Sequence, residues 1–80
     1  MKQRRILLTS VEDVKEFVGF AMKCNFDIDV FYNRMVIDAK SILGVMSLDL
    51  RNVLTVEYDG VDEAFEAFLE RKAAPVAAAS

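Results

Sequence analysis

Residues 40–48 read KSILGVMSL: a cation, then a hydroxyl, then large apolar side chains interrupted by a single glycine and containing no acid. Two physical readings fit that stretch. A buried strand would set Lys40 and Asp49 at its ends and leave Gly44 in its middle, where a glycine weakens pairing. A short helix would use Ser41 as its cap and place Val45 and Leu48 on one side, three residues apart, with Ile42, Leu43 and Met46 elsewhere. Two turns cannot bury both apolar faces, so the helical reading leaves an apolar cluster exposed beside a serine, the makings of a docking surface. The plainer alternative is that the whole run fills a small core.

Other reactive residue types are few. The chain has no histidine and one cysteine, which excludes an intramolecular disulfide and a zinc site of the Cys/His type. It also removes the commonest acid–base group and the usual carrier of a labile phosphate. Cys24 follows Lys23 and reads either as an activated thiolate or, the simpler reading, as a thiol buried at a helix end. Ser10 precedes Val11-Glu12-Asp13, the pattern of a helix N-cap whose third residue reaches back. Lys2, Arg4 and Arg5 form a small basic cluster, expected to be a solvated end rather than a contact patch. No cofactor or metal is expected.

The elements that must position these residues follow from periodicity. Eighty residues suffice for one domain, and a chain of this size buries only roughly 60–65% of its unfolded surface. The 54% hydrophobic and 29% charged content is that of an ordinary globular domain. A net charge of −3 argues against non-specific nucleic-acid binding. No apolar run approaches a membrane span, and the N-terminus lacks the pattern of a signal peptide, so a soluble, cytoplasmic protein is expected.

Residues 5–9 read as strand one, with Ile6 and Leu8 on one face. A helix over 11–23 carries Val14, Phe17, Val18, Ala21 and Met22 at core-facing spacing, with Glu12, Asp13 and Glu16 where the dipole favours acids. Residues 27–32 alternate as a half-buried strand. A two-residue Asn33-Arg34 turn then leads to a third strand at 35–38, although arginine at a positive φ would be strained. A fourth strand covers 52–58, and Asp59-Gly60 turns the chain into a last helix over 62–72. Val61, Ala64, Phe65, Phe68 and Leu69 repeat at helical spacing there. Residues 1–72 thus form the domain, and 73–80, small-residued and broken by Pro75, form a low-complexity tail expected to be disordered. The predicted fold is an α+β open-faced sandwich: a four-stranded antiparallel sheet with three helices on one face. Phe17, Val18, Met22, Val30, Val56, Phe65 and Phe68 are expected in its core.

The stretch AKSILGVMSLDL resembles the regulatory-serine segment of HPr, the histidine-containing phosphocarrier family of the bacterial sugar phosphotransferase system. The likeness runs back through DIDVFYNRMVIDA to the first strand and resumes at LTVEYDG, covering roughly 5–72. The two intervening connections each look about two residues shorter than is usual in the family. The family's element order is the one read above. Its Gly-x-His-Ala-Arg-Pro motif is replaced here by Leu8-Thr9-Ser10-Val11-Glu12-Asp13. Ser10 occupies the phospho-histidine position and Glu12 the arginine position, so no catalytic residue is carried over. A phosphoimidazole has a good leaving group, whereas a serine phosphate would have to expel an alkoxide. Glu12 and Asp13 would moreover repel the phosphoryl group.

Ser41 matches the serine that, in Gram-positive-type bacteria, is phosphorylated by HPr kinase/phosphorylase. Ile42, Leu43 and Met46, flanked by Lys40, match the patch read by the kinase, by phosphotransferase-system enzymes and by a catabolite-control repressor. The family's arginine contributes to the repressor surface too, and here Glu12 stands in its place. The resemblance therefore implies a regulatory, non-catalytic paralogue. The alternatives are an adaptor domain in which Ser41 is only a helix cap, and a phosphocarrier using another acceptor, Ser10 or Cys24.

Overall fold

A computed structural model describes residues 1–49 and 51–75. Its elements run β1 (Lys2–Ile6), α1 (Val11–Met22), β2 (Ile28–Tyr32), β3 (Met35–Asp38), α2 (Ile42–Met46), β4 (Leu54–Tyr58) and α3 (Glu63–Arg71). The strands form one antiparallel sheet in the order β1-β4-β2-β3. This is the predicted four-stranded sheet with three helices. Alternate strand positions Ile6, Ile28, Val30, Leu54, Val56 and Tyr58 are buried on one face of the sheet. They share one core with Val14, Phe17, Val18 and Ala21 of α1 and with Phe65, Phe68 and Leu69 of α3. Phe17 bridges the two helices, its ring 6.1 Å from those of both Phe65 and Phe68, while Tyr58 meets Phe65 edge-on at 5.4 Å.

The first strand begins earlier than expected, at Lys2 rather than residue 5, and ends at Ile6. Its pairing with β4, Lys2 opposite Tyr58 through Ile6 opposite Leu54, fixes those bounds. The basic cluster is therefore built into the sheet rather than a loose end, although Arg4 and Arg5 remain exposed to solvent as expected. Lys2 and Arg4 reach Glu66 of α3 at 3.1 and 3.4 Å, and the Lys2 ammonium stands over the Tyr58 ring. Long stems that bury carbon and expose charge make such a strand possible. Beyond Ile6 the chain turns inward. Leu7 N–H donates to the Lys72 carbonyl, and Leu8 is fully buried. Ala73 bridges Ile6 and Ala74 N–H donates to the Arg5 carbonyl, so the first residues of the expected tail lie along β1. Residues 76–80 lie outside the described residues.

Met22 does not join the core and is 64% exposed. Eight residues on from Val14 the helix has turned about 80° off that residue's direction, and α1 ends there. Cys24 takes the core position instead. Val61 and Ala64 are also exposed, because Val61 precedes the Asp62 cap and Ala64 lies off the buried side of α3. Asn33 alone of the β2–β3 turn has a positive φ, 54°, so Arg34 escapes the expected strain.

Candidate functional site

The stretch 40–48 is helical rather than a strand. Ser41 is extended and caps α2, its Oγ accepting from Gly44 N–H at 3.2 Å while its carbonyl accepts from Val45 N–H. Asp38 prepares the entry. Its carboxylate accepts from Lys40 N–H at 2.9 Å and its carbonyl from Ser41 N–H at 2.9 Å. Gly44 lets the helix settle on β3, for a Cβ there would lie 2.7 Å from Ile37 Cγ2 and 3.1 Å from Ser41 Oγ. A β-branched side chain such as Ile37 has little room to yield.

Val45 and, two residues past α2, Leu48 face the core, while Ile42, Leu43 and Met46 face outward. Leu43 is 82% exposed, with Ile42 and Met46 at 40% and 42%. Ser41 and these three side chains thus share one short, solvent-facing element. Lys40 is placed differently from its position in sequence. Its ammonium donates to the Cys24 carbonyl at 3.0 Å, tying the end of α1 to the start of α2.

Ser10 and Glu12 sit at the start of α1. Ser10 Oγ accepts from Asp13 N–H at 3.1 Å, as the spacing predicts. The Asp13 carboxylate reaches back to Thr9, accepting from its N–H at 3.0 Å and its hydroxyl at 3.1 Å, rather than to Ser10. Lys72 Nζ closes the cluster at 2.9 Å from Asp13. The Thr9 N–H and then Lys72 hold the Asp13 carboxyl below the ordinary carboxylate value. The Ser10 hydroxyl oxygen and the Asp13 carboxylate are thereby both engaged at this helix start.

Cys24 is a buried free thiol whose Sγ lies 3.5 Å from the Phe20 carbonyl. Burial first, and then the charge of Asp62, push its pKa up against a smaller opposing effect of Lys40. The thiolate is disfavoured, which matches the plain buried-thiol reading. Among the described residues no group of His, Cys, Asp and Glu is placed to hold a metal ion. Among the described residues no helix is long and apolar enough to cross a membrane.

Sequence reasoning overlooked three participants around these sites: Asp38, the Cys24 carbonyl, and Lys72. Asp38-Ala39-Lys40 carried a legible Asx-turn signal before the helix. The other two are long-range contacts that no spacing announces.

The family model described as the PTS HPr component phosphorylation site matches residues 13–71, a span that contains Ser41 and begins after Ser10 and Glu12. Among solved structures, HPr-C-His from Thermoanaerobacter tengcongensis is 28% identical with a TM-score of 0.72, covering 89% of each chain. The phosphocarrier protein HPr from Bacillus anthracis is 27% identical with a TM-score of 0.67, covering 89% of this chain and 95% of that one. Crh of Bacillus subtilis, described as a catabolite repression protein forming a swapped, intertwined dimer, is 22% identical with a TM-score of 0.61 over 88% of each chain. At that identity the likeness is one of fold. No curated protein sequence matches the chain.

Proposed function

The chain belongs to the HPr family, and on that premise we propose that it is a regulatory, non-catalytic member, phosphorylated on Ser41 and read by partner proteins. The observation that carries this reading is the position of Ser41 at the start of a short helix exposing Ile42, Leu43 and Met46, in a chain with no histidine. HPr kinase/phosphorylase would transfer the terminal phosphoryl group of ATP to Ser41 Oγ. Phosphotransferase-system enzymes or a catabolite-control repressor in the cytoplasm would read the product.

A phosphate adds roughly −1.5 to −2 charges at neutral pH. Its oxygens can take over the Gly44 N–H that the hydroxyl now holds, and they meet the positive end of the helix dipole. Phosphorylation should therefore leave the fold in place, changing stability by at most about 1 kcal/mol in the stabilising direction. Its output is electrostatic. A dianion beside an apolar patch repels acidic partners and recruits those presenting Arg or Lys. Lys40, held by the Cys24 carbonyl, leaves most of that charge uncompensated.

The Ser41 Oγ contact to Gly44 N–H favours a second reading, an adaptor domain in which Ser41 is a cap and nothing more. Incubation with the family kinase and ATP, followed by intact mass, separates the two. We expect one phosphate on wild type and on Ser10→Ala, and none on Ser41→Ala. A wild-type chain left unmodified under conditions that phosphorylate a genuine HPr leaves the adaptor reading standing.

A further inference from the structure

The two edges of the sheet are treated differently. The end of β1 is covered by the chain's own residues 72–74 through the Leu7–Lys72 and Ala74–Arg5 backbone bonds. Among the described residues strand β3, at the other edge, pairs only with β2. The pairing of Ile37 with Val30 and of Met35 with Tyr32 across a two-residue turn makes these the hydrogen-bonded pairs. The bond from Ala39 N–H to the Ile28 carbonyl continues the same alternation. The backbone groups of Val36 and the N–H of Asp38 therefore point away from β2, and among the described residues no other element pairs with them.

Native edges are blunted by brevity, charge, proline or a bulge, and this four-residue edge carries only the first of these and, at its last residue, the second. It holds no lysine or proline, and Met35 and Val36 are 47% and 55% exposed. The outer sheet face adds a second irregularity. Asp38 lies opposite Asp29, and Asp29 opposite Glu57, so three carboxylates stand in one cross-strand row that ends at this edge. Like charges directly opposite one another are unfavourable. Glu57 is met by the Gln3 side-chain amide, while Asp29 and Asp38 have no cation in any ion pair among the described residues. Arg34, exposed in the turn that leads into the same strand, is likewise in none of those pairs.

We propose that β3 pairs antiparallel with β3 of a second copy of this chain, Val36 opposite Val36, Arg34 opposite Asp38 and Met35 opposite Ile37. That register is the one in which a two-fold axis through Val36 brings a guanidinium to the open end of each carboxylate row. It pairs the outward N–H and C=O of the two Val36 residues with each other and lets each Asp38 N–H donate to the opposite Arg34 carbonyl. The Asp38 carbonyl is already taken by Ser41 N–H, so the ladder stops there. The sheets join into one of eight strands without exchange of any segment. The seam is short, so the dimer belongs to the small, weak class of interfaces and forms in a concentration-dependent way.

Sedimentation equilibrium of the full chain up to millimolar concentration tests the pairing. Wild type should pass from monomer to dimer. Arg34→Asp sets carboxylates opposite each other at both ends of the seam, and Asp38→Arg sets guanidinium groups there. Each should weaken self-association by about tenfold or more. Asp38→Arg moves the net charge toward zero, so its loss of dimer cannot come from overall repulsion. Mixed together, the two variants present matched ends and should form a heterodimer, which also shows that both are folded. Val36→Pro removes an outward N–H and no bond to β2, and should be monomeric with an unchanged circular dichroism spectrum. A wild type that stays monomeric throughout overturns the proposal and leaves the edge for a strand of another protein. So does a dimer that survives in Arg34→Asp, as one built by segment exchange would, or a mixture that fails to associate.

Discussion

Lys40 Nζ lies 3.0 Å from the Cys24 carbonyl oxygen, so one side chain couples the chain just past α1 to the residue preceding Ser41. Lys40→Met keeps the apolar stem and removes that bond. It should lower stability by about 1 kcal/mol in urea denaturation. The same variant should still accept one phosphate on Ser41, because the cap contact to Gly44 does not involve Lys40.

The core assigns unequal costs to side chains that a helical stripe treats alike. Phe17 and Phe65 are fully buried, and truncating either to alanine should cost about 3–5 kcal/mol, much of what a domain of this size has to lose. Met22→Ala, on an exposed side chain at the end of the same helix, should shift the chemical-denaturation midpoint little.

Asp13 makes stability depend on pH in a defined direction. Its folded-state pKa is lowered, by the Thr9 N–H first and by Lys72 next. A depressed carboxyl stabilises the fold at pH values above its unfolded pKa, and that contribution disappears as pH falls through the folded value. Asp13→Asn should therefore lose less stability than wild type on acidification below about pH 4, measured as the difference in urea midpoints. Equal acid dependence in the two proteins would remove Asp13 from the account.

Ser10 acts as a cap. Ser10→Ala should cost about 1 kcal/mol through the lost contact to Asp13 N–H. No acid-labile phosphate should appear on wild type after incubation with phosphoenolpyruvate and the first enzyme of the phosphotransferase system. Ser10→His alone should rescue little, since Glu12 and Asp13 remain beside it.

Local chemistry was readable wherever cause and effect lie within one turn. The Ser10 and Ser41 caps and the hairpin closed by Asn33-Arg34 all depend on residues a few positions apart. The errors came where distant chain decides. The charged residues of β1 read as a loose end because their partners, Tyr58 and Glu66, arrive much later in the sequence. Met22 looked like core because periodicity does not reveal that the helix stops and Cys24 supplies the next buried group. Within KSILGVMSL, spacing alone left strand and helix both open. The contact of Gly44 with Ile37 and Ser41, a tertiary fact, shows why the glycine is there.

The pairing of β1 has a consequence for the order in which the molecule can assemble. β2 and β3 meet across two residues, a local event. Lys2 must instead find Tyr58, and Ile6 must find Ala73, so the entropy of closing nearly the whole chain precedes those contacts. On a translating ribosome β1 emerges before its partner strand exists and remains unpaired until β4, and then residues 72–74, have been made. The hairpin is free to form early, while the sheet is completed by the part of the chain that was synthesised before it.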